Sequence, residues 1–193
     1  METGRQEVTD PHAEPKEGKL IEFSHSSLSN EVDDLSYEPL YRYMTIRDWR
    51  QKGESAHAIT WIGSHPGVVK EPTGNDNTTD RALQLTELWG YNHMTVVNIF
   101  ALRCRTMWRL KHCSNPIGMR EENDESIIAA CRTADLVVAC WGNAGELFDR
   151  GDRVLEMITS VRHPIHVLGR TNKGQPMHLS YVKKTDRLKV WAI

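Results

Sequence analysis

Two histidines sit in loops whose composition suits chemistry. The first loop is Gly63-Ser64-His65-Pro66-Gly67, directly after the apolar run Ala58-Ile59-Thr60-Trp61-Ile62. Two glycines and a proline force a sharp turn and let backbone N–H groups approach a ligand closely. A histidine there can activate water or hold a ligand near neutral pH. The competing reading is an ordinary turn with an exposed imidazole. The loop is not a P-loop, since no Gly-Lys-Ser/Thr follows, and not a nucleophile elbow, since Gly-x-Ser-x-Gly is absent. Asp76 is the nearby carboxylate on the same loop that could serve His65. The second loop, Gly169-Arg170-Thr171-Asn172-Lys173-Gly174-Gln175-Pro176-Met177-His178, gathers cations, a hydroxyl, amides and an imidazole after a strand end. Thr171 and Lys173 there suit a phosphate or carboxylate, and a solvated polar loop is the alternative.

Asn98 is the third candidate. It is lodged between Val97 and Ile99-Phe100, and an amide inside an apolar strand must find hydrogen-bond partners. Carrying both donor and acceptor, it matches the edge of a nucleobase, or it braces a neighbouring loop. The run Arg103, Arg105, Arg109, Lys111 and His112 surrounds Trp108. It could meet phosphates and stack a base, or form a solvated face with one anchoring Trp. The chain has nine histidines, yet no His-Glu-x-x-His or Cys/His ligand spacing. No metal and no cofactor are expected.

These residues need a frame to hold them. Tyr41–Arg47 and Ala58–Ile62 read as strands, as do Thr95–Phe100, Leu136–Trp141 and Ile165–Leu168, with Leu188–Ile193 as a last edge strand. Between them lie a helix capped at Asn77 or Thr78 and carrying Ala82, Leu85 and Leu88-Trp89, a short helix near Trp108, and longer ones over Glu122–Thr133 and Asn143–Val161. Strands alternating with one-faced helices predict an α/β fold, three-layer α/β/α with a mostly parallel central sheet. Ligands in such sheets bind outside the carboxyl ends of the strands. The loops at Gly63, Asn98, Gly142 and Gly169 all leave there.

The chain is 193 residues long and 39% hydrophobic, with a formal net charge of −2. Residues 1–36 read as a flexible N-terminal tail rich in Glu, Pro, Ser and Lys, with Leu20–Phe23 as a patch able to dock as an edge strand. Residues 37–193 are expected to form a single domain. The net charge disfavours a long set of duplex phosphate contacts. Cys104, Cys113, Cys131 and Cys140 show no Cys-x-x-Cys spacing, and neither a signal peptide nor a membrane span is visible; a cytoplasmic setting and no membrane partner are expected.

From Tyr41 to Tyr181 the chain resembles the uncharacterised bacterial and phage family named domain-of-unknown-function 1643. The motifs that carry the resemblance are His65-Pro66-Gly67, Asp76-Asn77-Thr78, Trp89-Gly90-Tyr91 and Val97-Asn98-Ile99-Phe100-Ala101-Leu102-Arg103. Asn115-Pro116-Ile117-Gly118, Asn123-Asp124, Cys140-Trp141-Gly142 and the loop Gly169 to Leu179 complete them. His65 stands where that family has Asn, and Leu179 where it has Pro. More distantly, the layout is similar to the uracil-DNA glycosylase superfamily. That likeness implies a glycosylase-like fold, Asn98 as the reader of a base edge and His178 as support for a departing base. Ligand contacts from Gly63, Pro66, Gly67, Asp76, Gly142, Gly169, Thr171 and Lys173 are expected on the loops that leave the carboxyl edge of the sheet. The aromatic residue that stacks a flipped base and the late DNA-intercalating loop have no counterpart here. The expected ligand is therefore a nucleotide-like small molecule or a single-stranded nucleic acid. If the protein is an enzyme, hydrolysis of an N-glycosidic bond is expected, with His65 and His178 catalytic. The alternative is a module that sequesters a nucleotide or modified base without turning it over.

Overall fold

The computed structural model describes residues 19–25, 40–68, 76–161, 164–183 and 186–191. The tail assigned to residues 1–36 lies outside these, apart from 19–25. In chain order the elements are β1 (Lys19–His25), β2 (Tyr41–Asp48), β3 (Ala58–Gly63), α1 (Asn77–Leu88), β4 (His93–Asn98), α2 (Met107–His112), α3 (Arg120–Thr133) and β5 (Leu136–Ala139). There follow a 3-10 stretch (Gly142–Asp149), α4 (Arg150–Thr159), β6 (Ile165–Val167), a 3-10 turn (Leu179–Tyr181) and β7 (Lys189–Val190).

Among the described residues the strands form one seven-stranded sheet in the order β1-β2-β4-β3-β5-β6-β7. The central four, β4-β3-β5-β6, run parallel. β1, β2 and β7 pair antiparallel at the flanks. The sheet is thus mixed rather than mostly parallel. The flanking strands sit where no helical crossover forces a common direction. The patch at Leu20–Phe23 lies in the edge strand β1.

All six residues of β3 are buried, because helices cover both of its faces. Ile59 and Trp61 pack with Ala82 and Leu85 of α1. The Trp61 indole N–H donates to Thr86 Oγ1 at 3.0 Å, and that hydroxyl donates to the Ala82 carbonyl at 2.8 Å. Thr60 and Ile62 point the other way. There the Thr60 hydroxyl donates to the Ala130 carbonyl of α3 at 2.9 Å, and Ile62 joins a core with Ile127, Cys131, Val154 and Ile158 of α3 and α4. Among the described residues no helix is long and apolar enough to cross a membrane.

Three local expectations change. The cap of α1 is Asp76, not Asn77 or Thr78: its carboxylate accepts the N–H groups of Thr78 and Thr79, each at 2.9 Å, as capping Asp does. Leu88 is 68% exposed, whereas Trp89 stacks on Trp61 with ring centres 5.5 Å apart, so of the expected stripe only Leu88 leaves the core. The helix expected over Asn143–Val161 is broken. Phe148 and Asp149 take left-handed backbone angles, φ 57° and 54°, and α4 starts only at Arg150. The buried Arg150 anchors that start: its Nε donates to the Ile99 carbonyl at 2.7 Å, and its guanidinium pairs with Asp124. Gly151 also packs against the backbone of Gly145, which one straight helix would not allow.

Candidate functional site

β3 and β4 end side by side, with Gly63 paired opposite Asn98. Two further backbone bonds extend the pairing into the loops, from Ile99 N–H to the Gly63 carbonyl at 3.0 Å and from Phe100 N–H to the Ser64 carbonyl at 2.9 Å. The Asn98 side chain lies across Gly63. A β-carbon on Gly63 would stand 2.6 Å from Asn98 Oδ1. Asn98 is only 6% exposed, yet no protein group among the described residues hydrogen-bonds its side-chain amide. The amide faces a pouch of about 10 Å³ whose wall includes Gly63, His65, Asp76 and Thr79, space for about one water molecule. Beneath it the Ile99 carbonyl takes two donors, Arg150 Nε and Asn123 Nδ2, the latter at 3.2 Å. The end of β4 is therefore braced from below while the amide above is left open. Gly63→Ala is expected to push Asn98 off its position. It should weaken any ligand held by Asn98 at least tenfold, at small cost to secondary structure by circular dichroism; unchanged binding would refute this positioning.

His65 stands over the pouch. Its Nδ1 is 3.0 Å from the Ser64 hydroxyl, a bond whose direction follows the tautomer. The same ring also borders two wider hollows. One, about 660 Å³, includes Gly142, Thr171, Lys173 and His178 in its wall. The other, about 480 Å³, includes Gly67, Asp76, Arg105 and again His178. His178 accepts the Ser180 N–H on Nδ1 at 3.2 Å, so its neutral ring carries the proton on Nε2. Its β-carbon rests on Gly142: a β-carbon there would meet it at 3.0 Å, and φ is +63°. The late loop is fastened by Gly142 N–H to the Pro176 carbonyl and by the Trp141 indole N–H to Gln175 Oε1, each at 2.8 Å.

Burial pushes the His65 imidazole down to about 4; the neighbouring His178 adds to the effect and Asp76 opposes it. Burial also lowers His178, again against Asp76. Both rings are neutral near pH 7. The unfolded chain therefore binds more protons than the folded one between about 6.5 and 4, and stability falls on acidification through that window. For His65 the loss is at most about 3 kcal/mol, and below about pH 4 this contribution adds no further loss. Urea midpoints measured from pH 7 to 4 should fall, and the fall should shrink in His65→Gln. An equal fall in that variant would overturn the assignment.

Asp76 is held for structure. Besides capping α1 it accepts Arg42 Nη2 at 2.8 Å and the Gly67 N–H at 3.0 Å. Burial works to raise its carboxyl, but Arg42 and the N–H groups of Thr79 and Gly67 outweigh that and hold it below the ordinary value. Pro66 is buried, with its carbonyl accepting the Cys104 N–H at 3.2 Å. Gly169 packs on Met177, and both support the loops from behind. Thr171 Oγ1 accepts the Lys173 N–H at 3.2 Å, and Lys173 Nζ pairs with Glu146 at 2.5 Å in an exposed position.

The sequence brought His65, Gly142, Thr171, Lys173 and His178 to one hollow and missed what positions them. Arg42, Asn123 and Arg150 are buried polar residues that read as surface in an alternating or helical pattern. Within the basic run, Arg103 is buried, whereas Arg105 and Lys111 border the two wide hollows. Among the described residues no group of three or more His, Cys, Asp or Glu is placed to hold a metal ion.

Searches of curated proteins and of solved structures find no match. A family profile does match, over residues 42–178, more than half of the chain and spanning every loop of the site. The chain therefore belongs to the family described as Protein of unknown function (DUF1643).

Proposed function

We propose that the cleft at the carboxyl ends of β3, β4, β5 and β6 binds a nucleobase-bearing ligand, with Asn98 reading the base edge. One observation carries this: a nine-tenths-buried amide at the cleft floor has no hydrogen-bond partner among the described residues. Its donor and acceptor open onto the pouch, where a ligand offering an acceptor and a donor can meet them. The His178 Nε2–H, freed by the bond of Nδ1 to Ser180, is a second donor on the wall of both wider hollows beside His65. The pouch over Asn98 holds about one water, and His65 separates it from the wider hollows. A base therefore reaches the amide only when the His65 ring turns aside. The motif likeness to uracil-DNA glycosylases in Gly63–Gly67 and Asn98 supports a base as the ligand and a glycosylase-like three-layer fold as its frame.

A second reading, hydrolysis of the N-glycosidic bond, is favoured by the two neutral histidines facing the same hollows. Water would add to the anomeric carbon as the bond to the base breaks. The electron pair would leave with the base, where the His178 N–H stabilises it, and His65 would take the proton lost by the water. Binding stands first, because Asp76 is committed to Arg42 and the α1 cap and leaves His65 with a hydroxyl partner only. Calorimetric titration of bases, nucleosides and nucleotides, with free base followed by chromatography, tests both. Base release by the native protein that vanishes in His65→Ala while binding persists supports hydrolysis. Binding without release supports a sequestering module. No affinity for any base-bearing compound defeats the proposal.

A further inference from the structure

The two wide hollows share one stretch of wall, formed by Ser64, His65, His178 and Ser180. The two hollows therefore adjoin at the histidine pair and together form one groove wall there. Each half, at about 660 and 480 Å³, falls within the roughly 300–1,000 Å³ of a single small-molecule site. One nucleotide over the histidines would leave much of this groove empty.

Each half also carries a cation. Lys111 borders the larger hollow and Arg105 the smaller. No hydrogen bond or ion pair joins either side chain to another group among the described residues. The carboxylates of the groove are already taken, Glu146 by Lys173 and Asp76 by Arg42. The free charge is therefore positive and is carried by both of the hollows that meet at His65. Aromatic surface accompanies it. Tyr181, on the wall of the larger hollow, is 76% exposed, and Trp108, one turn before Lys111 on α2 but not on either wall, is 68% exposed with one face stacked on His112. Cations that track a backbone, interleaved with open aromatic faces, are the features that hold single strands without a sequence requirement.

The geometry points to a single-stranded nucleic acid as the ligand of this cleft, threaded along the groove with a phosphate at Arg105, another at Lys111 and one base at the histidines between them. This rests on the base-binding reading for its central unit, and adds the polymer on either side. A chain net charge of −2 is compatible with it, because only a few phosphates need be met.

The test is fluorescence anisotropy with homo-oligomers of each common base, as DNA and as RNA, at lengths of one, two, three and six nucleotides. Affinity should rise at least tenfold from one to three nucleotides and then level off, and should weaken with salt. The charge-reversed pair Arg105→Glu and Lys111→Glu should remove that gain with length, with an unchanged circular dichroism spectrum as the check on folding. A duplex of the same length should bind at least tenfold less tightly than the single strand. Equal affinity at all lengths, or a length gain that survives charge reversal, overturns the single-strand inference. If mononucleotides bind and Asn98→Ala weakens this with no gain on lengthening, base reading stands and the inference falls. If oligomers bind through the cations but ignore Asn98→Ala, the inference stands and base reading falls. No binding at any length sinks both.

Discussion

Asn98→Ala is expected to weaken base binding by about one to two orders of magnitude while leaving the protein at least as stable as before. These two effects separate a reader from a brace. An amide that braces a loop is bonded to it, so its removal leaves broken partners and costs about 1–3 kcal/mol. The Asn98 amide has no bonded partner to strand among the described residues, and its atoms face the pouch, so truncation leaves no broken bond behind. Thermal unfolding should show an unchanged or higher midpoint. Binding should fall by roughly 5- to 150-fold, the equivalent of the ~1–3 kcal/mol that a well-placed amide contributes on a base edge. Asn123 is the control on the same carbonyl. It is fully buried, and its Nδ2 donates to Ile99, so Asn123→Ala should destabilise by about 1–3 kcal/mol. A clear loss of stability in Asn98→Ala, matching that of Asn123→Ala, would return Asn98 to a structural role.

The contrast between these two asparagines marks what a sequence can and cannot reveal. Asn98 was conspicuous because it interrupts a continuous apolar strand, and the strand end places it at the cleft by topology alone. Likewise the glycines at 63, 142 and 169 mark the exits of β3, β5 and β6, since an apolar run that stops at glycine is a local signal. Asn123 and Arg150 lie on helices, where polar residues are the rule, and only tertiary packing turns them inward onto Ile99. Arg42 alternates with tyrosines on β2 and reads as the solvent face of a half-buried strand. It is buried where it meets Asp76 at the start of α1, a long-range fact that periodicity does not carry. The break at Phe148-Asp149 was invisible for the same reason. Its cause is the anchoring of Arg150 and the close approach of Gly151 to Gly145, not any helix-breaking residue. Lys111 and Arg105 were seen as a basic run, but their separation onto two halves of one groove needed α2 to be placed.

Arg42→Met is expected to produce the largest loss of stability. Arg42 and Asp76 are 2% and 8% exposed and meet at 2.8 Å. Removing one partner of a buried pair strands the other charge, at a cost of about 3–5 kcal/mol. The lower end applies here, because the Asp76 carboxylate keeps the N–H groups of Gly67, Thr78 and Thr79. Asp76→Ala should also destabilise, since it removes the carboxylate that meets Arg42 and the α1 cap, itself worth about 1 kcal/mol. The double variant Arg42→Met, Asp76→Asn should recover part of the loss, because asparagine still caps and no unpaired charge remains. The acid limb gives an independent reading. The Asp76 carboxyl is held below its ordinary value of 3.8 in the folded protein, so its contribution is present above that value and disappears as pH falls through the folded value. Without Arg42, burial is opposed only by N–H groups, and the carboxyl rises. The acid loss of stability in Arg42→Met should then begin at a higher pH than in the native protein. Denaturant midpoints across pH 3–7 measure both effects together. A loss in Arg42→Met under about 1 kcal/mol, with the acid limb unmoved, would mean that the pair does not fix the His65 loop to α1. Gly67 would then need another anchor, and the position of His65 over Asn98 would have to be explained by Ser64 and the Phe100 N–H bond alone.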